Sequence, residues 1–493
     1  MKTLAKIDYR VIEGVMILMG SLEKVINVNN GGGVHEKKLK FSEKLFATIL
    51  DGTGTFHLQV IQLFLLFFYT DVMKISPAYV AGLFLISRII DALMAPAFGI
   101  IIDKVTTPWG KYKPWVILMG LGTGVFGWLT YTVPDLGPNE RVVYATVTYV
   151  IYSLFLSIAS APSNALRPAI TKNINDRLSM GQIAYFVVMV GALLSQIAVQ
   201  PTYKALGGGD DAKGFSLVMG IMAIIAIIVS VFQFYSIKER YVIQKGQSEK
   251  GPTLKEMSLA VFTNKTAIIV YLFVLGINLG NGIRSGASIY YFKYYFGNES
   301  LLAIVGLVSI VPTMIGVALS SKITKKMGIK KNLMIGMIFN IVGTAAALFL
   351  PPSAIGEVLY MILAAITSLF VGLSTPAQGT MLPAAMDYTE WKTKMNVNGF
   401  MASFQGFLQT FATALSGAIT AGFLALIGYE SGVEQSNETL LGLRILMSIV
   451  PAIAILLTLS VWWFDLTEEK QALITKELEE RRFNPEYDDM IDN

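Results

Sequence analysis

Twelve stretches of this chain, each roughly 20 residues or longer, are almost purely apolar, and polar loops separate them. They fall at about 42–70, 79–103, 114–134, 142–166, 180–203, 214–236, 266–296, 301–320, 332–351, 356–386, 398–428 and 439–464. At about 1.5 Å of rise per residue, each can cross a hydrocarbon layer about 30 Å thick as a helix. Lipid offers backbone amides no partner, so an all-α membrane protein with twelve transmembrane helices is expected. The charged fraction, 15%, agrees, because a soluble chain carries roughly a quarter. The absence of cysteine excludes disulfides, thiolate metal sites and cysteine nucleophiles.

Charge divides the connections into two alternating sets. One holds Lys104, Lys111, Lys113, Arg167, Lys172, Arg177, Lys322, Lys325, Lys326, Lys330, Lys331, Lys392 and Lys394, thirteen basic residues. The other holds four, Lys74, Arg141, Lys204 and Lys213, beside Asp71, Asp135, Glu140, Asp210, Asp211, Glu299, Glu434 and Glu438. Basic loops stay in the cytoplasm, so both termini are expected there, with the chain in the cell membrane. The mildly apolar run Val11–Leu22 is short and interrupted by Glu13, which reads as an interfacial helix.

The longest internal polar connection, Lys238–Lys255, divides the chain six plus six. The expected organisation is an N-terminal extension (1–41), a six-helix bundle (42–237), a central loop (238–262), a second bundle (263–465) and a charged tail (466–493) that is helix-prone up to Arg482. The loop from Asp103 to Lys111 has a degenerate echo at Ser320–Gly328. Paired halves with matching loops suggest a transporter whose site lies between them. His35-Glu36 lacks the second histidine of a zinc protease, and Gly110-Lys111 lacks Walker spacing, so neither hydrolysis nor ATP use is expected.

A set of ordered motifs resembles one family. Arg88-Ile89-Ile90-Asp91, then Pro96, Gly99 and Asp103, lead to Trp109-Gly110-Lys111-Tyr112-Lys113-Pro114-Trp115. Phe68-Tyr69-Thr70-Asp71-Val72, Gly207-Gly208-Gly209-Asp210, Ile289-Tyr290-Tyr291-Phe292 and Asp387-Tyr388-Thr389-Glu390-Trp391-Lys392 follow in the matching places. Together they resemble the glycoside–pentoside–hexuronide:cation symporters of the major facilitator superfamily. The resemblance implies sodium- or proton-coupled uptake of a glycoside or related polyol by alternating access, with no cofactor beyond the coupling ion, no nucleic acid, a lipid surround and a monomer. Where the family carries charges or tryptophans, this chain has Thr55, Ala95, Ser160, Thr410, Ala184, Asn164 and Thr375. Losing carboxylates and their counter-charges together leaves a neutral, hydroxyl-rich site.

Candidate residues follow. Asp91, with Arg88 one turn earlier, reads as a cation or proton site or as a local ion pair. Asp51, Thr55 and Ser87 are candidates to join it, since hard cations take oxygen ligands. Thr55, Ser160, Asn164, Thr375 and Gln378 are expected to meet substrate hydroxyls. Arg284, near the middle of its span, is expected either to clamp an anionic group on the substrate or to pair with Asp51 or Asp91. Asp103, Lys111 and Lys113 form the expected gate loop. A permease for an anionic or amphiphilic solute, or a non-transporting sensor on the same fold, remains the alternative.

Overall fold

The computed structural model describes residues 39–105, 107–171, 173–241, 254–395, 397–465 and 468–483. The expected helix at Val11–Leu22 lies outside them. Among the described residues there is no strand, only an isolated bridge between Thr107 and Gly110. Ends of the molecule that carry the basic loops are called inner below, and the opposite ends outer.

A short helix α1 (Phe41–Phe46) precedes α2 (Ile49–Val60), which continues outward through two wide turns, Ile61–Leu65 and Phe68–Val72. Then come α3 (Pro77–Lys104), α4 (Lys113–Thr130), α5 (Pro138–Ile170), α6 (Ile174–Ile197), α7 (Val199–Gly207) and α8 (Asp211–Ser236). The second half holds α9 (Leu254–Phe262), α10 (Lys265–Tyr290, with a wide turn to Tyr295), α11 (Leu301–Met327), α12 (Ile329–Ala346), α13 (Ala354–Thr393), α14 (Asn398–Leu426), α15 (Asn437–Ile455) and α16 (Glu468–Phe483). Nine of these helical segments are long and apolar enough to cross a membrane among the described residues. Ile49–Val72, Pro77–Lys104 and Lys113–Thr130 occupy the places of the first three expected spans.

Polar residues at the loop boundaries start the spans. Ser76, Asp210, Asn264, Ser353 and Ser436 each accept a backbone N–H of the first turn, and Pro77 and Pro138 sit where no amide partner is needed. Glycine lets helices approach closely. A Cβ on Gly191 of α6 would lie 2.1 Å from the Gly52 carbonyl oxygen of α2, and one on Gly372 of α13 would lie 2.3 Å from the Thr313 oxygen of α11.

The two halves meet along three seams: α3 on α14, α10 on the Ile61–Leu65 turn, and α6 on α11. Within the stretch expected as a central loop, α9 packs Ala260 and Val261 into the second half. The C-terminal α16 docks beneath that half through buried Ile474 and Leu478, and Glu477 accepts from the Trp391 indole at 2.5 Å.

Candidate functional site

Asp51 lies in the first turn of α2 and forms an ion pair with Arg167 near the inner end of α5. One turn further on, the Thr55 hydroxyl donates to the Asp51 carbonyl at 2.7 Å. His57 is fully buried, and its Nδ1 donates to the Thr53 carbonyl at 2.8 Å. A carbonyl can only accept, so Nδ1 carries a proton, and Nε2 has no hydrogen-bond partner among the described residues. Asp51, Thr55, His57, Arg167 and Tyr185 line a cavity of about 520 Å³ in the inner part of the first half.

Asp91 lies elsewhere. On α3 it pairs with Arg88 at 2.8 Å and accepts from Ser153 of α5 at 2.5 Å, and Ser153 in turn accepts from Ser87 at 3.1 Å. It is 4% exposed, and its Oδ1 is buried without a hydrogen-bond partner among the described residues. The expected oxygen set therefore divides in two: Asp51 with Thr55 at the inner cavity, Asp91 with Ser87 between α3 and α5.

Arg284 is the twentieth of 31 residues in the span Lys265–Tyr295, about one turn outward of its centre. Of its two expected roles the ion pair is not formed, since Asp51 pairs with Arg167 and Asp91 with Arg88. Its place is the wall of a second cavity, of about 330 Å³, between α6 of the first half and α10, α11, α12 and α13 of the second. Thr375 and Gln378 sit two to three turns further in along α13 and bond within their own helix, to the Val371 carbonyl at 2.9 Å and the Ser374 hydroxyl at 3.1 Å. They do not line either cavity. The side chains of Asp103, Ser160 and Asn164 lie outside the described set. The backbone amides of Lys111, Tyr112 and Lys113 all donate to Glu239, at 2.7, 2.8 and 2.6 Å. This carboxylate seats the loop on the start of α4, where a helix favours negative charge.

The strongest polar cluster was not singled out as a site from sequence. Asp71, 8% exposed at the outer end of the first span, accepts from Thr70 at 2.8 Å, Lys293 at 3.3 Å, Tyr294 at 2.6 Å and Tyr429 at 2.8 Å. Tyr290 bonds Thr70 at 2.8 Å, and Lys74 donates to Ser431 at 3.0 Å. Lys204 of the first half also pairs with Glu299 of the second at 3.0 Å. Lys293, Tyr294, Tyr290, Tyr429 and Ser431 belong to the second half, so this cluster joins the two halves at their outer ends. The run Tyr290-Tyr291-Phe292-Lys293-Tyr294-Tyr295 was its signal: a lysine among phenols at the end of a span needs an acid opposite.

Two helical halves joined at one end, with cavities against both, is a transporter architecture, and comparison with known proteins decides the lineage. The family model for MFS/sugar transport proteins matches residues 52–468. The chain belongs to that family. It is a multi-pass membrane transporter and not an enzyme. It is 28% identical to the isoprimeverose transporter of Lactiplantibacillus pentosus, over 91% of this chain and 93% of that one. It is 27% identical to the inner membrane symporter YicJ of Escherichia coli strain K12, over 89% and 95%. The crystal structure of a D-xylose–proton symporter matches the fold of this family member with a TM-score of 0.61 at 15% identity, over 87% of this chain and 98% of the other.

Proposed function

We propose that this family member carries a sugar or glycoside across the cell membrane by alternating access, drawn by a sodium or proton gradient, as a monomer with both termini in the cytoplasm. The observation that carries the reading is the outer closure: the two halves are tied through Asp71 at the outer end. Alternating access requires a closure of this kind that can be reversed. The relative named for isoprimeverose and the one named as a symporter support sugar as cargo and an ion as driver.

Asp91 is the proposed coupling residue. Its buried Oδ1, without a partner among the described residues, can take a cation or a proton, and the Ser87–Ser153 hydroxyls extend the oxygen set. Binding there would compete with Arg88 for the carboxylate. The test is sugar uptake into proteoliposomes under imposed sodium and proton gradients. Gradient-driven accumulation is expected for the wild type. Asp91→Asn should lose accumulation and keep sugar counterflow. Full accumulation in the variant would make Asp91 a structural ion pair and return coupling to Asp51.

A further inference from the structure

The outer cavity is unbalanced in charge. Arg284 is the one charged side chain among its described lining residues, and no carboxylate faces it there. Arg284 forms no hydrogen bond or ion pair among the described residues, and the two carboxylates expected as its counter-charge, Asp51 and Asp91, pair with Arg167 and Arg88. A guanidinium cannot release its proton. Inside a span, such a charge belongs to a water-filled or ligand-filled space and marks what the space accepts.

Three hydroxyls of the same wall bond back to their own helices. Ser288 donates to the Ser285 carbonyl at 2.7 Å, Ser309 to Val305 at 2.8 Å and Thr313 to Ser309 at 2.7 Å. Their protons are committed to their own helices, so they offer the cavity lone pairs, which suit a sugar hydroxyl and repel an anion. Arg284 thus supplies unused donors where these three hydroxyls supply acceptors. The volume, about 330 Å³, is at the small end of ligand cavities and fits one sugar ring better than a long lipid.

We propose that this cavity binds a monoanionic sugar, with Arg284 gripping its carboxylate or sulfonate. Ser288, Ser309 and Thr313 then accept from the neutral ring hydroxyls. The proposal rests on the reading of the chain as a sugar transporter and names the charge of its substrate.

The experiment measures binding and counterflow of D-glucuronate, of glucose carrying a 6-sulfonate, and of neutral D-glucose and D-xylose, on the full chain in phosphatidylcholine vesicles. Wild type is expected to prefer the anionic sugars, and the stronger of the two identifies the anion. Arg284→Gln should cost the anions about 10-fold or more in affinity, the scale of a lost charge-assisted bond, and leave neutral sugars within about 2-fold. Arg284→Lys, which keeps the charge but not the fork, should restore part of the loss. Equal binding of glucose and glucuronate by wild type, or equal loss of both in Arg284→Gln, overturns the proposal and leaves sugar transport standing. Binding of no sugar at all removes the transport reading beneath it. Repeating the series with phosphatidylglycerol covers the remaining source of an anion: an Arg284→Gln effect seen only with that lipid assigns the guanidinium to a headgroup and overturns the proposal.

Discussion

Asp71 serves four donors with two oxygens, and three of those donors come from the opposite half. Burial and the adjacent carboxylate push the Tyr429 phenol up from its ordinary pKa, so it remains a donor throughout the physiological range. Asp71→Asn keeps the shape but removes the charge and turns one acceptor into a donor facing donors. Charge-assisted bonds contribute about 1.5–3 kcal/mol, so the closed outer end should lose roughly 10- to 150-fold in population relative to the open one. A cysteine at Tyr290, in a chain with no cysteine of its own, should then label from outside far faster than in the Asp71 background. Equal rates would show that the aromatic packing alone holds the gate. At this scale the sequence was partly legible. The residue types at Asp91 and Arg284 announced intramembrane charges, but partners depend on which helices adjoin, and one chain of letters does not record that. Arg167 read as a topology signal, yet it takes Asp51; Glu239 raised no signal, yet it accepts the amides of Lys111, Tyr112 and Lys113.

Helix boundaries were readable because they follow apolar length and capping chemistry, both local. The spans at 211–236, 265–295, 301–327 and 398–426 depart from the expected limits by few residues, except where α11 runs on through Lys325 to Met327. Interruptions were not readable. α2 starts afresh after Thr48, α7 separates from α6 at Ala198, and three wide turns replace regular helix at Ile61–Leu65, Phe68–Val72 and Tyr291–Tyr295. Each answers to packing by distant segments. Two of these turns occupy matching places, the outer ends of the first span in each half, and between them they present Asp71 and Lys293 to each other. Wide turns of this kind concentrate at functional positions. The α2–α6 crossing supplies a second test. Gly191→Ala would thrust a methyl to 2.1 Å from a backbone oxygen that no rotamer can move. A loss of about 1–3 kcal/mol is expected, typical of overpacking, read as a lower thermal midpoint in detergent. Gly54→Ala, whose Cβ meets nothing within 4 Å, is the control and should leave the midpoint in place.

For the molecule as a whole, the alternation of thirteen basic residues against four sets the expected orientation. Cysteines at Lys111 and Lys326 should react only with reagents admitted to the cytoplasm, and cysteines at Asn139 and Asn298 only from outside. The opposite pattern would invert inner and outer throughout and place the Asp71 closure on the cytoplasmic face. The outer closure carries one further consequence. Ion pairs on a protein surface weaken as salt crowds around them, but a carboxylate enclosed by phenols is shielded from that crowd. Asp71 is so enclosed. Raising an inert salt such as choline chloride outside the vesicle to about 1 M, where screening shortens to about 3 Å, should therefore leave the turnover of this carrier nearly unchanged. The outer door would then hold the same share of molecules closed in fresh water and in brine.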